Sequence, residues 1–281
     1  MKRIYFLAVL LLSVFSASAQ QDKQLFILQT SDTHSRIEPI SKEVADTYAG
    51  MGGTVRRTSF IKQYRSEHPD MLLFDCGDIS QGTPYYNYSK GEVEVKMMNL
   101  MKYDAMTIGN HEFDFGMDNL ARLFRMANFP VVCANYDVTG TVLEGLVKPY
   151  IILERAGVKI GVFGLSPKME GLVQADKCEG IVYNDPIKVA QEMADLLKIE
   201  KECDVVICLS HLGIRNANGD SDEDLVSKTS NIDVILGGHS HTFMEKPVNY
   251  LNADGKNIPV YHTGKSGIFV GEQVLTLTKK Q

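Results

Sequence analysis

Five short apolar runs in this sequence each stop at a cluster of glycine, aspartate, asparagine or histidine, and that repeated boundary limits the fold more than any other feature. They are "LFILQT" (25–30) before "SDTH", "MLLFD" (71–75) before "CGD", "DAMTIG" (104–109) before "NHEFD", "DVVICLS" (204–210) before His211, and 233–237 before "GHSH". Apolar runs of this length, bounded by turn residues, read as strands buried on both faces. Between them lie segments with helical spacing at 54–68, 93–102, 117–128 and 185–202, the last capped by Asp185 with Pro186 at its first position. A strand at 130–135, a hairpin at 150–166, a helix capped by Ser221 and closing strands at 258–263 and 268–277 complete the pattern. Strands and helices that interleave throughout, with no repeat or linker, specify a single layered α/β domain.

At 281 residues and 44% hydrophobic composition the chain can bury a large core. Its beginning stands apart: Lys2 and Arg3 precede an apolar run from Ile4 to Phe15 and the small residues Ala17, Ser18 and Ala19. That run is shorter than the roughly 20 residues a bilayer demands. Residues 1–19 therefore read as an export signal cut after Ala19, and 20–281 as an exported domain, periplasmic or secreted, with no membrane attachment after cleavage. A net charge of −6 argues against a nucleic-acid partner, which requires clustered Lys and Arg. The cysteines Cys76, Cys133, Cys178, Cys203 and Cys208 form no CxxC pair, and Cys76, Cys133 and Cys208 sit in apolar runs, so no essential disulfide is expected.

Chemistry collects where the strands end, the edge at which open α/β sheets usually bind ligands. Asp32 and His34 follow the first run, Asp78 the second, Asn110, His111 and Asp114 the third, His211 the fourth, and His239 with His241 the fifth. In extended chain, residues two apart point the same way, so Asp32 with His34 and His239 with His241 can each serve one locus. Carboxylate, imidazole and amide donors without thiolate suit Zn, Mn, Fe or Mg rather than a structural zinc site. Asp32, His34, Asp78, Asn110, His211, His239 and His241 are too many for one four-coordinate ion and enough for two that share a carboxylate, the arrangement that clamps an in-line phosphoryl displacement. Gly77, Gly109, Gly237 and Gly238 suit the sharp turns this needs. Glu112 reads as a supporting residue rather than a ligand, and His68 and His262 as packing or surface histidines.

Taken in order, Asp32-x-His34, Gly77-Asp78, Gly109-Asn110-His111-Glu112, His211 and Gly238-His239-Ser240-His241 resemble the motif set of the calcineurin-like metallophosphoesterases. The stretches "GNHEFD", "GGTVRR" (52–57) and "HTGKSGIFVGE" (262–272) make the chain similar to the catalytic N-terminal domain of secreted 5'-nucleotidases. The resemblance implies a four-layer α-β-β-α sandwich, two mixed sheets flanked by helices, with two divalent ions at its edge. It assigns Asp32, His34, Asp78 and His241 to one ion and Asp78, Asn110, His211 and His239 to the other, with Asp78 bridging. His111 and Asp114 match the family's catalytic pair. The implied activity is metal-dependent hydrolysis of phosphate esters, nucleotides foremost; cyclic nucleotides, nucleotide sugars or diphosphates are the alternative substrates. A metal-stabilised binding or regulatory subunit is a further alternative, against which the presence of both His111 and Asp114 speaks. Full-length nucleotidases of the family add a C-terminal domain that reads the base. Too little chain follows His241 for one, so the expectation is that a separate polypeptide supplies it and that the site alone is an open edge with weak discrimination.

Overall fold

The backbone amides of a buried strand must find partners in neighbouring strands, and the apolar runs do so in two six-stranded sheets. The computed structural model describes residues 22–216 and 220–277; the export signal expected at 1–19 and its cut site lie outside them. The first sheet has the order β14 (Gly271–Leu277), β1 (Lys23–Thr30), β2 (Leu72–Asp75), β3 (Ala105–Met106), β4 (Val131–Val132), β6 (Val147–Lys148). The second runs β12 (Val248–Leu251), β13 (Asn257–His262), β11 (Val234–Gly237), β10 (Val205–Ser210), β8 (Val158–Leu165), β7 (Tyr150–Arg155). A two-stranded ribbon pairs β5 (Tyr136–Asp137) with β9 (Val182–Tyr183). Inner strands are parallel, and β14, β7 and β12 add antiparallel edges, so both large sheets are mixed.

Parallel neighbours need crossovers. Helix α1 (Thr54–Glu67) links β1 to β2, α2 (Pro84–Ser89) and α3 (Glu92–Met101) link β2 to β3, and α4 (Gly116–Met126) links β3 to β4. In the second half, α5 (Pro186–Asp195) runs into a π-helical turn at Leu196–Glu200, and α6 (Asp222–Lys228) joins β10 to β11. The Asp185 side chain caps α5 by accepting from the amides of Ile187 and Lys188, and Ser221 caps α6 by accepting from that of Asp224.

Strand alternation sorts the core into layers. Ile160 and Val162 of β8 face inward and pack with Leu25, Ile27, Leu72 and Phe74 of the other sheet. Their neighbours Phe163 and Leu165 point outward to Ala190, Ala194 and Leu197. On the far side Leu28 and Leu73 meet Ile61, Val95, Met98 and Leu120 from α1, α3 and α4. The result is the α-β-β-α order that the resemblance implied. All five cysteines are free. Among the described residues no helix is long and apolar enough to cross a membrane.

Two expected strands are shorter than their apolar runs. The run at 104–109 pairs only over Ala105–Met106 and that at 130–135 only over Val131–Val132, because the chain beyond leaves the ladder to form turns at the sheet edge. Helix α2 and strands β5, β6, β9 and β12 were not expected, being too short to show a period.

The two sheets approach backbone to backbone at Gly164. A Cβ there would lie 2.1 Å from the carbonyl oxygen of Val132 and 2.5 Å from Thr107 Oγ1. Gly164→Ala must therefore push β8 away from β4, and a loss of about 1–3 kcal/mol is expected from such overpacking. An unchanged denaturation midpoint for this variant would show that the sheets can separate freely.

Candidate metal centre

The parallel strands of both sheets deliver their following turns to one edge of the sandwich. Asp32 and His34 come after β1, Asp78 after β2, Asn110 and His111 after β3, His211 after β10, and His239 and His241 after β11. The donor atoms of Asp32, His34 and His241 all lie within 4.8 Å of one another, as do those of Asp78, His211 and His239. The two groups adjoin: His211 Nε2 is 3.0 Å from Asp78 Oδ2 and 4.0 Å from Asp32 Oδ1. Asn110 is buried in the same edge. The structure thus gathers six of the seven sequence-predicted ligands in two groups with one aspartate each.

Bringing five turns together requires unusual backbone. Asp32, His34, Asp78, His239 and His241 all have positive φ, between 45° and 71°, a region that costs L-residues of order 1–3 kcal/mol each. Close approach requires glycine as well: a Cβ on Gly109 would sit 2.2 Å from Asp78 Oδ1, and one on Gly77 would sit 2.6 Å from the amide nitrogen of Gly109. Carboxylates tie the turns to each other. Asp32 accepts from the His239 amide at 3.0 Å, and Asp78 Oδ1 from the His111 amide at 2.9 Å. Glu112, fully buried, accepts from the amides of Gly109 at 2.6 Å, Asp78 at 2.9 Å and Ser80 at 3.3 Å, so its carboxylate fastens two turns rather than facing a cation.

Backbone carbonyls fix two of the imidazoles. His211 Nδ1–H donates to Cys76 O at 2.6 Å and His34 Nδ1–H to Ser80 O at 3.1 Å, which makes Nε2 the nitrogen that each can offer a cation; His34 Nε2 lies 2.9 Å from His241 Nε2. Asn110 Oδ1 is buried without a hydrogen-bond partner, a situation that ordinarily costs about 1–3 kcal/mol, and His211 Nε2 has the Asp78 carboxylate beside it at 3.0 Å. These are the atoms through which each residue would ligate, so the residues present fit divalent cations.

Charge within the centre is set by burial. Burial, with neighbouring imidazoles, lowers His239 and His241 to about 4, so both are neutral ligands at pH 7. His211 differs: burial opposes its charge, but Asp78 and then Asp32 hold it above the usual histidine range. Burial pushes Asp78 up, yet His211 and His34 pull it well below ordinary carboxylates. Asp32 is raised, mainly by burial.

His111 stands at the rim, its ring centroid 5.5 Å from that of His34. Its Nδ1 lies 3.1 Å from Asp114 Oδ2, and this hydrogen bond, against the effect of burial, favours the imidazolium. His262 is neither exposed nor at the rim: buried, its Nε2 is 2.7 Å from Asp222 Oδ2, while Ser210 Oγ donates to Asp222 Oδ1 at 2.5 Å. That link joins the ends of β10 and β13 to the start of α6, directly beside His211. Sequence reading had no signal for it, since the three residues are far apart in the chain. His68 stacks on Phe26 with ring centroids 3.8 Å apart and is a packing residue.

A cation entering this centre must displace the proton on His211. Because the metal-free fold raises that group above its unfolded value, the proton stabilises it fully below about pH 6.5 and this support is lost as pH rises through the raised value. The increase in melting temperature on adding Mn or Zn should therefore be larger at pH 8.5 than at pH 6. Equal increases at both pH values would show that no proton is exchanged for the metal.

Comparison with known proteins agrees with this geometry. The family model for calcineurin-like phosphoesterase matches residues 26–243. A snake venom 5'-nucleotidase from Naja atra is 32% identical over 279 residues, covering 92% of this chain and 51% of that protein, so the chain spans about half the length of this relative. The crystal structure of a 5'-nucleotidase precursor from Thermus thermophilus superposes with a TM-score of 0.81 at 28% identity, over 91% of this chain and 54% of that one. That of the calcineurin-like phosphoesterase YfkN from Bacillus subtilis gives a TM-score of 0.76 at 30% identity, over 92% and 87%. With sequence match, fold and strand-end geometry in agreement, the chain belongs to the calcineurin-like phosphoesterase family.

Proposed function

We propose that this domain is a binuclear-metal-dependent phosphoester hydrolase of the 5'-nucleotidase group, releasing phosphate from nucleotides or related phosphomonoesters. The observation that carries the reading is the pair of adjoining ligand groups with His111, separately held by Asp114, at their rim. Asp32, His34 and His241 would hold one ion and Asp78, Asn110, His211 and His239 the other, with Asp78 shared. When bound, such ions supply positive charge to the phosphoryl group and make water a competent nucleophile at neutral pH. The chain's own residues do the rest. Asp114 takes the Nδ1 proton of His111 in a hydrogen bond, fixing the ring and leaving Nε2–H to protonate the departing ester oxygen. The imidazolium that Asp114 favours also offsets negative charge building up on the phosphate.

The proposal includes export. Lys2, Arg3, the apolar run to Phe15 and Ala17-Ser18-Ala19 support delivery to the periplasm or the exterior. It also includes a separate polypeptide adding substrate contacts, on the ground that the venom relative carries about twice the length matched here.

Ligation and proton transfer should separate on mutation. Asp78→Asn is expected to lower bound metal from near two ions per chain, by elemental analysis, and to abolish turnover with it. His111→Asn should keep its metal while kcat falls roughly 10²- to 10⁴-fold, the usual contribution of one general acid. Equal metal loss in both variants would refute this division of labour.

A further inference from the structure

Beside the metal centre lies a cleft of about 700 Å³ whose inner end is formed by His34, His111 and His241, a size typical of small-molecule sites. One wall is aromatic. Phe243 and Phe269 stack with ring centroids 4.0 Å apart, and Tyr48 meets Phe269 edge-on at 5.6 Å. Phe243 is nonetheless 44% exposed, at an isolated antiparallel bridge to Thr263 two residues beyond His241. The cleft is also cationic: Arg36 and Lys265 line it against a single acid, Asp46. Arg36 Nε is buried with no hydrogen-bond partner. Arg36 lies two residues beyond His34, in the same turn.

These features suit one kind of occupant. A flat ring gains most by lying on an exposed aromatic face. Oxygen atoms beside that ring would meet the positive charge of Arg36 and Lys265. With phosphate placed beside His34, His111 and His241, the rest of a nucleotide can lie along this cleft. We infer that the cleft is the leaving-group subsite of the enzyme. It takes the nucleoside of a nucleotide on Phe243 and directs the ester's oxygens to Arg36 and Lys265, so that this chain recognises the leaving group itself. The inference rests on the hydrolase reading above, and its test separates the two.

Adenosine, which carries no phosphate, serves as the probe with the full metal-loaded chain. In saturation-transfer NMR its base protons should receive saturation from the protein, and Phe243→Leu and Phe243→Ala should each remove most of that signal. The two variants guard against misfolding, since leucine keeps the bulk and loses only the ring. In steady-state assays the preference for AMP over glycerol phosphate should fall about 3- to 10-fold in Phe243→Leu, the size expected for one aromatic stack. For Arg36→Gln, kcat/KM on AMP should fall about 10- to 100-fold, as for a lost charge-assisted hydrogen bond. An undiminished adenosine signal in both Phe243 variants, or an unchanged ester preference, overturns the subsite. Failure of the chain to cleave any ester overturns the hydrolase reading, and the adenosine signal still decides the subsite.

Discussion

Carboxylates at the sandwich edge hold backbone that L-residues resist, and the site depends on that restraint. Asp32 engages the His239 amide, Asp78 the His111 amide, and Glu112 the amides of three residues on two turns. Hydrogen bonds to charged acceptors contribute about 1.5–3 kcal/mol each, enough to offset left-handed strain of about 1–3 kcal/mol per residue. The Asp32 and Asp78 oxygens thus position neighbouring turns and stand ready for a cation, while those of Glu112 only hold backbone. A change at Asp32 or Asp78 alters the shape of the centre as well as its ligand count.

Each ligand group also draws on both sheets. Asp32 and His34 leave the first sheet and His241 the second; Asp78 leaves the first, His211 and His239 the second. A cation in either group would join the two sheets at their shared edge, so its binding free energy adds to the stability of the whole sandwich. The apolar layer between the sheets and the polar edge above it hold together the same pair of surfaces by different physics.

Much of this was legible in the sequence, for a definite reason. Buried parallel strands demand continuous apolar runs, and ligands must sit where those runs end, so run and boundary identify each other. Asp32, His34, Asp78, Asn110, His211, His239 and His241 could be selected on that basis, and Asp185 and Ser221 as caps on local chemistry alone. What the sequence hid is what depends on distant partners. Glu112 serves amides of both its own turn and that of Asp78. The carbonyls of Cys76 and Ser80 orient His211 and His34 without any side-chain signal. Nothing in the sequence singled out Arg36, and the aromatic wall joins Phe243 to Phe269 across the intervening strand β13. Short elements such as β3 and β4 were overextended because an apolar run does not say where its ladder stops.

The link from Ser210 through Asp222 to His262 has a consequence for how the domain can vary. The chain leaves β10 at His211 and returns at Ser221, and the two feet of this excursion are fastened to each other, Asp222 N to Gly213 O at 2.8 Å and Glu223 N to Ile214 O at 3.3 Å. With the base closed and Asp222 and His262 buried, the length of chain between the feet is insulated from the position of the imidazole. Lengthening such a loop costs only about 0.6 kcal/mol per doubling. New chain can therefore be inserted between these two feet, by evolution or by an engineer, while the ligand-bearing edge stays where it is.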